Sequence, residues 1–241
     1  MASNSEVGHA KNIANLNLLN TNIMALGDTY NPSNSRLKLV NLQSMYTNAF
    51  AKQGLVNTLL APYSVAVDQR EVIFKPLNAE LTKLRKAYKA TEGVTPAQLE
   101  DFRTIIRKLK GVKKTNTPPS TNPEENLKSH SVSQLSYDQR TNNMDGLIAL
   151  LQRTPNYNPN ENEYKISSYQ EKKERMLAST QAVANTFVPL NNARSERNNI
   201  LYNAEENLVD NANKAKDYLF TILDTKSPQY KAIARIKFKK R

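Results

Sequence analysis

The chain has 241 residues, a formal net charge of +12 and 39% hydrophobic content, enough for two lean cores or one elongated one. It has no cysteine, which excludes disulfides, thiolate metal sites and a cysteine nucleophile, and only six glycines, too few for a turn-rich β protein. No apolar run reaches the length of a membrane span, and Met1-Ala2-Ser3-Asn4-Ser5-Glu6 lacks the basic start and apolar stretch of a secretory signal, so the expectation is a soluble cytoplasmic protein with no membrane insertion.

In chain order, a first helix is expected over about 10–26. Asn31-Pro32 then supplies a cap and a proline whose missing amide is harmless at a helix start. From Leu39 mostly apolar residues recur at three- and four-residue steps: Leu42, Tyr46, Ala49, Gln53, Val56, Leu60, Tyr63, Val67, Arg70, Phe74 and Leu77. This heptad-like seam keeps its phase through Pro62, which argues for one long helix kinked at the proline. The rival arrangement is two helices turning at Ala61-Pro62, because a residue before proline resists the α region. A return helix follows over about 78–91, ended by Gly93. Thr95-Pro96-Ala97-Gln98 reads as a capping box opening a helix over 96–110.

Residues 111–133 contain Thr115-Asn116-Thr117-Pro118-Pro119-Ser120-Thr121-Asn122-Pro123, have no periodicity and read as an extended linker. Beyond it the pattern returns. A helix is expected over 136–153, Asn158-Pro159 repeats the cap, and a second seam runs Ile166, Tyr169, Lys173, Met176, Thr180, Val183, Phe187, Leu190, Arg194, Arg197, Leu201 and Ala204, again through a proline, Pro189. Helices over about 206–223 and, from Ser227-Pro228-Gln229, 228–238 complete the chain.

These two halves align at a constant offset of 127 residues: Tyr30-Asn31-Pro32 on Tyr157-Asn158-Pro159, Pro62 on Pro189, Arg70 on Arg197, Leu81 on Leu208. The expected fold is therefore all-α, two tandem pseudo-repeated helical bundles, each on a long helix and each burying its own apolar stripe. The boundaries are 1–110 for the N-terminal repeat, 111–133 for the linker and 134–241 for the C-terminal repeat with its basic tail.

Charge is the second signal. Residues 99–114 carry a net +4 and residues 226–241 a net +7, together eleven of the twelve excess charges. The bases are Arg103, Arg107, Lys108, Lys110, Lys113 and Lys114 in the first segment, and Lys226, Lys231, Arg235, Lys237, Lys239, Lys240 and Arg241 in the second. Leu99, Phe102, Ile105, Ile106 and Leu109 give the first helix an apolar face and turn its bases outward. Such basic ends are candidate polyanion contacts through Arg103, Arg107, Lys108, Lys110, Lys231, Arg235, Lys237, Lys239, Lys240 and Arg241. The plainer account is that lysines near helix C-termini complement the helix dipole and aid solubility. Aromatics are not interleaved as stacking platforms, and no zinc pattern is present.

Arg70 and Arg197 fall on the apolar seams and call for a carboxylate or carbonyl partner, which makes them register-setting residues rather than ligand contacts. The two histidines, His9 and His130, lie in the N-terminal lead and the linker, where neither fits a metal ligand or general base. Glu206 and Asp210 share a helix face without the Glu-x-x-His of di-metal bundles. No nucleophile-elbow, phosphate-loop, dinucleotide or zincin motif occurs, so no catalytic residue, metal site or cofactor is assigned.

Tyr157-Asn158-Pro159-Asn160-Glu161, Asn192-Ala193-Arg194, Arg197-Asn198, Ile200-Leu201-Tyr202, Leu208-Val209-Asp210 and Ser227-Pro228-Gln229-Tyr230-Lys231 resemble segments of a family of uncharacterised helical proteins from Bacteroidetes bacteria. The resemblance covers the second half best, and implies a helical fold and a bacterial source but no activity. Together these readings lead to a non-catalytic structural or interaction protein that binds a protein partner or itself, with sequence-independent nucleic-acid binding through the basic ends as the alternative.

Overall fold

A computed structural model describes residues 4–111 and 136–240, and among them the chain is all-α, with no strand. Eight α-helices are described: α1 Asn4–Met24, α2 Leu39–Phe74, α3 Leu77–Ala90, α4 Pro96–Lys110, α5 Tyr137–Arg153, α6 Ile166–Asn198, α7 Leu208–Ile222 and α8 Pro228–Ala234. The expected linker lies outside the described residues except for Gly111, as do His130, Lys113, Lys114 and Arg241.

Local chemistry sets most helix starts. Thr95 accepts from the Gln98 amide while the Gln98 side chain reaches back to the Thr95 N–H, Pro96 takes the first turn, and Gly111 (φ 67°) closes α4 in the left-handed region. Ser136, Asn207 and Ser227 cap α5, α7 and α8 through their side chains. The long helices begin differently from the expectation. Asn31-Pro32 and Asn158-Pro159 lie in the chain ahead of the helix; a single 3-10 turn follows each, at Ser35–Leu37 and Asn162–Tyr164. The preceding tyrosine ties that turn down: Tyr30 Oη donates to the Leu37 carbonyl at 2.8 Å, and Tyr157 Oη to the Tyr164 carbonyl at 2.6 Å. Asn41 Nδ2 and Ser168 Oγ then donate to the Ser35 and Asn162 carbonyls, the same link made by different side chains.

Both prolines sit inside helices, Pro62 in α2 and Pro189 in α6, so the two-helix alternative at Ala61-Pro62 does not occur. The seams predict burial well. All twelve positions from Leu39 to Leu77 are buried or half-buried, and in the second seam Phe187 alone is exposed, at 43%. The constant offset breaks after α6. A five-residue π turn, Asn199–Asn203, and an extended Ala204 lengthen the connection, so Leu208 opening α7 lies 131 positions after Leu77 opening α3. Leu208 and Leu77 each open a helix, whereas Leu81, with which the gap-free alignment pairs Leu208, lies inside α3.

The chain divides into two compact units, and the division does not follow boundaries at 110 and 134. Unit 1 is Met1–Tyr63 with Thr186–Arg241; unit 2 is Ser64–Asn185. The core of unit 1 takes Ile13, Leu16 and Leu19 from α1 and Leu42 and Ala49 from α2, and closes them with Leu201, Leu208, Ala212, Leu219 and Ile233 from the other half of the sequence. That of unit 2 joins Phe74, Leu81, Leu84, Tyr88, Phe102 and Leu109 to Met144, Leu147, Leu151, Tyr169 and Met176. Neither half buries its own stripe. The reason is length: at about 1.5 Å per residue α2 runs on the order of 54 Å, while α3, α4 and α7 each reach only about 22 Å. One set of short helices cannot cover so long a seam, so each long helix supplies apolar side chains to both units.

Candidate functional site

In unit 2 two of the four bases of α4, Arg103 and Lys110, have side-chain partners. Arg103 is exposed and pairs with Glu100 at 3.2 Å, and Lys108 is exposed. Lys110 Nζ donates to Thr82 Oγ1 at 2.5 Å. Burial lowers the Lys110 pKa, with the Arg85 guanidinium adding to the effect. Arg140 of α5 joins this end of the unit: its Nε donates to the Leu109 carbonyl at 3.1 Å, in the last turn of α4, and its guanidinium to Asn78 Oδ1 at 3.1 Å. A cation there satisfies a terminal carbonyl and complements the helix dipole.

In unit 1 the basic end is built differently from the expected helix over 228–238. The helix stops at Ala234, and residues 236–240 run on as an extended strap. Ile236 is buried and Phe238 half-buried against the core, whereas Lys237, Lys239 and Lys240 are exposed along with Lys231 and Arg235. A period of two suits extended chain, and Ile236-Lys237-Phe238-Lys239 carries that signal in the sequence, where the basic run conceals it. Side chains hold the strap's backbone. Asn12 Nδ2 donates to the Lys239 carbonyl at 2.8 Å, Asn12 Oδ1 accepts from the Lys239 N–H at 3.2 Å, and Asn15 Nδ2 donates to the Lys237 carbonyl at 2.7 Å. Lys216 of α7 donates to the Ile236 carbonyl.

Of the strap's bases, Lys240 is neutralised by Asp210 at 2.7 Å; that contact and a hydrogen bond from Asn207 hold the Asp210 carboxyl below the ordinary range. Lys216 has its pKa lowered by burial; Asp217 opposes this and Lys237 adds to it. Lys216 and Lys110 are thus each crowded by a second cation. The ten candidate contacts fall into two groups, Arg103, Arg107, Lys108 and Lys110 in unit 2 and the others in unit 1, with Arg241 outside the described residues.

His9 belongs to the core of unit 1. It is buried in α1, with Nδ1 2.8 Å from Tyr202 Oη, and Asn12 Nδ2 donates to the same hydroxyl at 3.2 Å. The sequence reading places His9 in a lead ahead of the first helix; its contact with Tyr202, 193 positions away, places it in the core instead. Arg197, 2% exposed, donates to Gln53 Oε1 at 3.3 Å and to Asn198 Oδ1 at 2.9 Å, so side-chain amides are among its partners. Arg70 instead lays its guanidinium 3.9 Å above the Tyr137 ring. Both arginines therefore make contacts of a structural kind.

Unit 2 also holds two shallow clefts. One, of about 260 Å³, lies by Tyr164 and Tyr169 and is crossed by the Lys172–Glu80 ion pair. The other, of about 440 Å³, opens beside Ile105, Gly146 and Leu150. Among the described residues no group of three or more His, Cys, Asp or Glu side chains is placed to hold a metal, and no helix is long and apolar enough to cross a membrane.

Other surfaces are apolar. Phe50 (61% exposed) and Leu55 of α2, with Phe187 and Val188 of α6, are exposed in unit 1; Val65, Val72 and Leu177 are exposed in unit 2. Between Lys52 and Asp68 the sequence has no charged residue, nor has it any between Arg175 and Arg194. Comparison of the chain with protein-family models, curated proteins and solved structures finds no match.

Proposed function

We propose that this is a non-catalytic helical interaction protein that docks protein through the outward, uncharged stretches of its long helices. The supporting observation is the exposure of Leu55, Phe187 and Val188 on helix segments without charge, with Phe50 exposed just ahead of Lys52. A solvated helix face is ordinarily charged, and large exposed apolar side chains grouped on a neutral one are a mark of docking surfaces. The same proposal takes the two halves of the sequence as copies of one helical element, because the tyrosine-anchored turns and the helix-internal prolines recur at the same spacing. Light scattering across a concentration series tests it: self-association in the wild-type chain that is weakened in Phe50→Glu and Val188→Glu supports the reading. Identical size in wild type and variants, together with unaltered surface-dye binding, refutes it.

A second reading, sequence-independent polyanion binding, draws on the exposed bases Lys231, Arg235, Lys237 and Lys239 at one end of unit 1. Binding to single- and double-stranded oligonucleotides should fall steeply with salt, and charge reversal at Arg235, Lys237 and Lys239 should lower its salt slope. No binding at low salt removes this reading.

A further inference from the structure

Three positions of the strap, 236, 237 and 239, have their carbonyls held by side chains of α1 and α7. Asn12 both donates to and accepts from Lys239, which is what a residue of a neighbouring β-strand would offer, so the seat recognises an extended backbone and not one particular sequence. Its specificity is limited to two apolar side chains two residues apart, Ile236 and Phe238, and to Asp210, which takes the ammonium of Lys240. Asn12 is itself fixed by Tyr202, whose hydroxyl meets His9, so the seat is preorganised.

We propose that this seat is a peptide-binding site for extended segments with apolar side chains at alternate positions and bases between them, and that its partner is the 236–240 segment of a second copy of the chain. The segment already satisfies every contact of the seat. Its tether is slight: α8 has seven residues, and a short turn joins it to α7. Reciprocal exchange keeps each contact and alters only the tether. The inference is independent of docking through Phe50 and Val188, which lie on other helices.

The test uses a fluorescent peptide spanning residues 234–240 and the full chain. Against wild type the peptide competes with a tethered segment at an effective concentration on the order of millimolar, and binds weakly. Two variants loosen the strap in its seat: Ile236→Asp with Phe238→Asp, and the milder Lys239→Pro, which removes the N–H that donates to Asn12 and restricts the backbone there. The first should bind the peptide at least about ten-fold more tightly than wild type and the second at least about two-fold, and adding Asn12→Ala should abolish the gain. Concentrated Phe50→Glu, in which docking through the long helices is removed, should still show dimers by light scattering that adding Lys239→Pro reduces. No saturable peptide binding to a loosened variant with wild-type helical signal, or binding indifferent to Asn12→Ala, overturns the site. Absence of dimers in concentrated Phe50→Glu overturns the second copy as partner. Should the double variant lose its helical signal, Lys239→Pro decides.

Discussion

Replacing Asn12 by alanine should loosen unit 1. The side chain is buried and makes three hydrogen bonds, two to Lys239 and one to Tyr202. The Lys239 groups belong to an exposed residue and can rehydrate, so each counts at the low end, about 0.5 kcal/mol. Tyr202 is buried and keeps its contact with His9, so losing one partner costs it about 1 kcal/mol. The expected destabilisation is about 2 kcal/mol, read as a fall in the urea midpoint at unchanged slope. Asn15→Ala is the internal control: it removes one exposed hydrogen bond to Lys237 and should cost about 0.5 kcal/mol. Amide exchange at Lys239 should accelerate in Asn12→Ala while exchange in α4 stays as it was. Equal midpoints for the two variants, or unaltered exchange at Lys239, would refute the assignment of Asn12 as the strap's anchor.

Leu84→Ala, at a fully buried position of unit 2, should cost about 2–5 kcal/mol by urea unfolding, whereas Leu18→Ala, half exposed on α1, should stay within about 0.5 kcal/mol of wild type. Burial, with Tyr218 beside it, raises the Tyr30 hydroxyl pKa, and burial with Tyr164 and Tyr88 nearby raises that of Tyr157. Above about pH 10 the unfolded state therefore loses protons that the folded state keeps, so stability holds below that point and declines above it, by at most about 1.4 kcal/mol per pH unit for each tyrosine. A pH series of urea midpoints should show Tyr30→Phe and Tyr157→Phe flattening this alkaline decline; an unchanged slope would sink the argument. Pro62→Ala restores an amide donor inside α2 and should raise stability by on the order of 1 kcal/mol, measured by thermal unfolding.

The parts of the fold legible in the sequence are those governed by short-range pattern. Seam positions from Leu42 to Phe74 are covered as their spacing requires, and the Thr95 capping box opens α4 at the expected residue. Long-range choices were not legible. Periodicity says that Leu42 and Leu81 are buried but not that Leu42 shares a core with Leu219, because pattern carries no address. The π turn at Asn199–Asn203 has no local signature, so a gap-free alignment overran it. In the candidate site the bases were visible as composition, but their arrangement depends on Asn12, Asn15 and Lys216, polar residues that look like ordinary solvated helix positions until the strap lies on them.

The sharing of α2 and α6 between the two units has a consequence for how the polypeptide can be divided. Fragments 1–111 and 136–241 would each carry only part of both cores: the first would leave Leu42 without Leu219, the second would leave Met144 without Leu84. Neither piece closes by itself, yet mixed they bring together the side chains of both cores. The molecule is thus a pair of complementary pieces written on one strand.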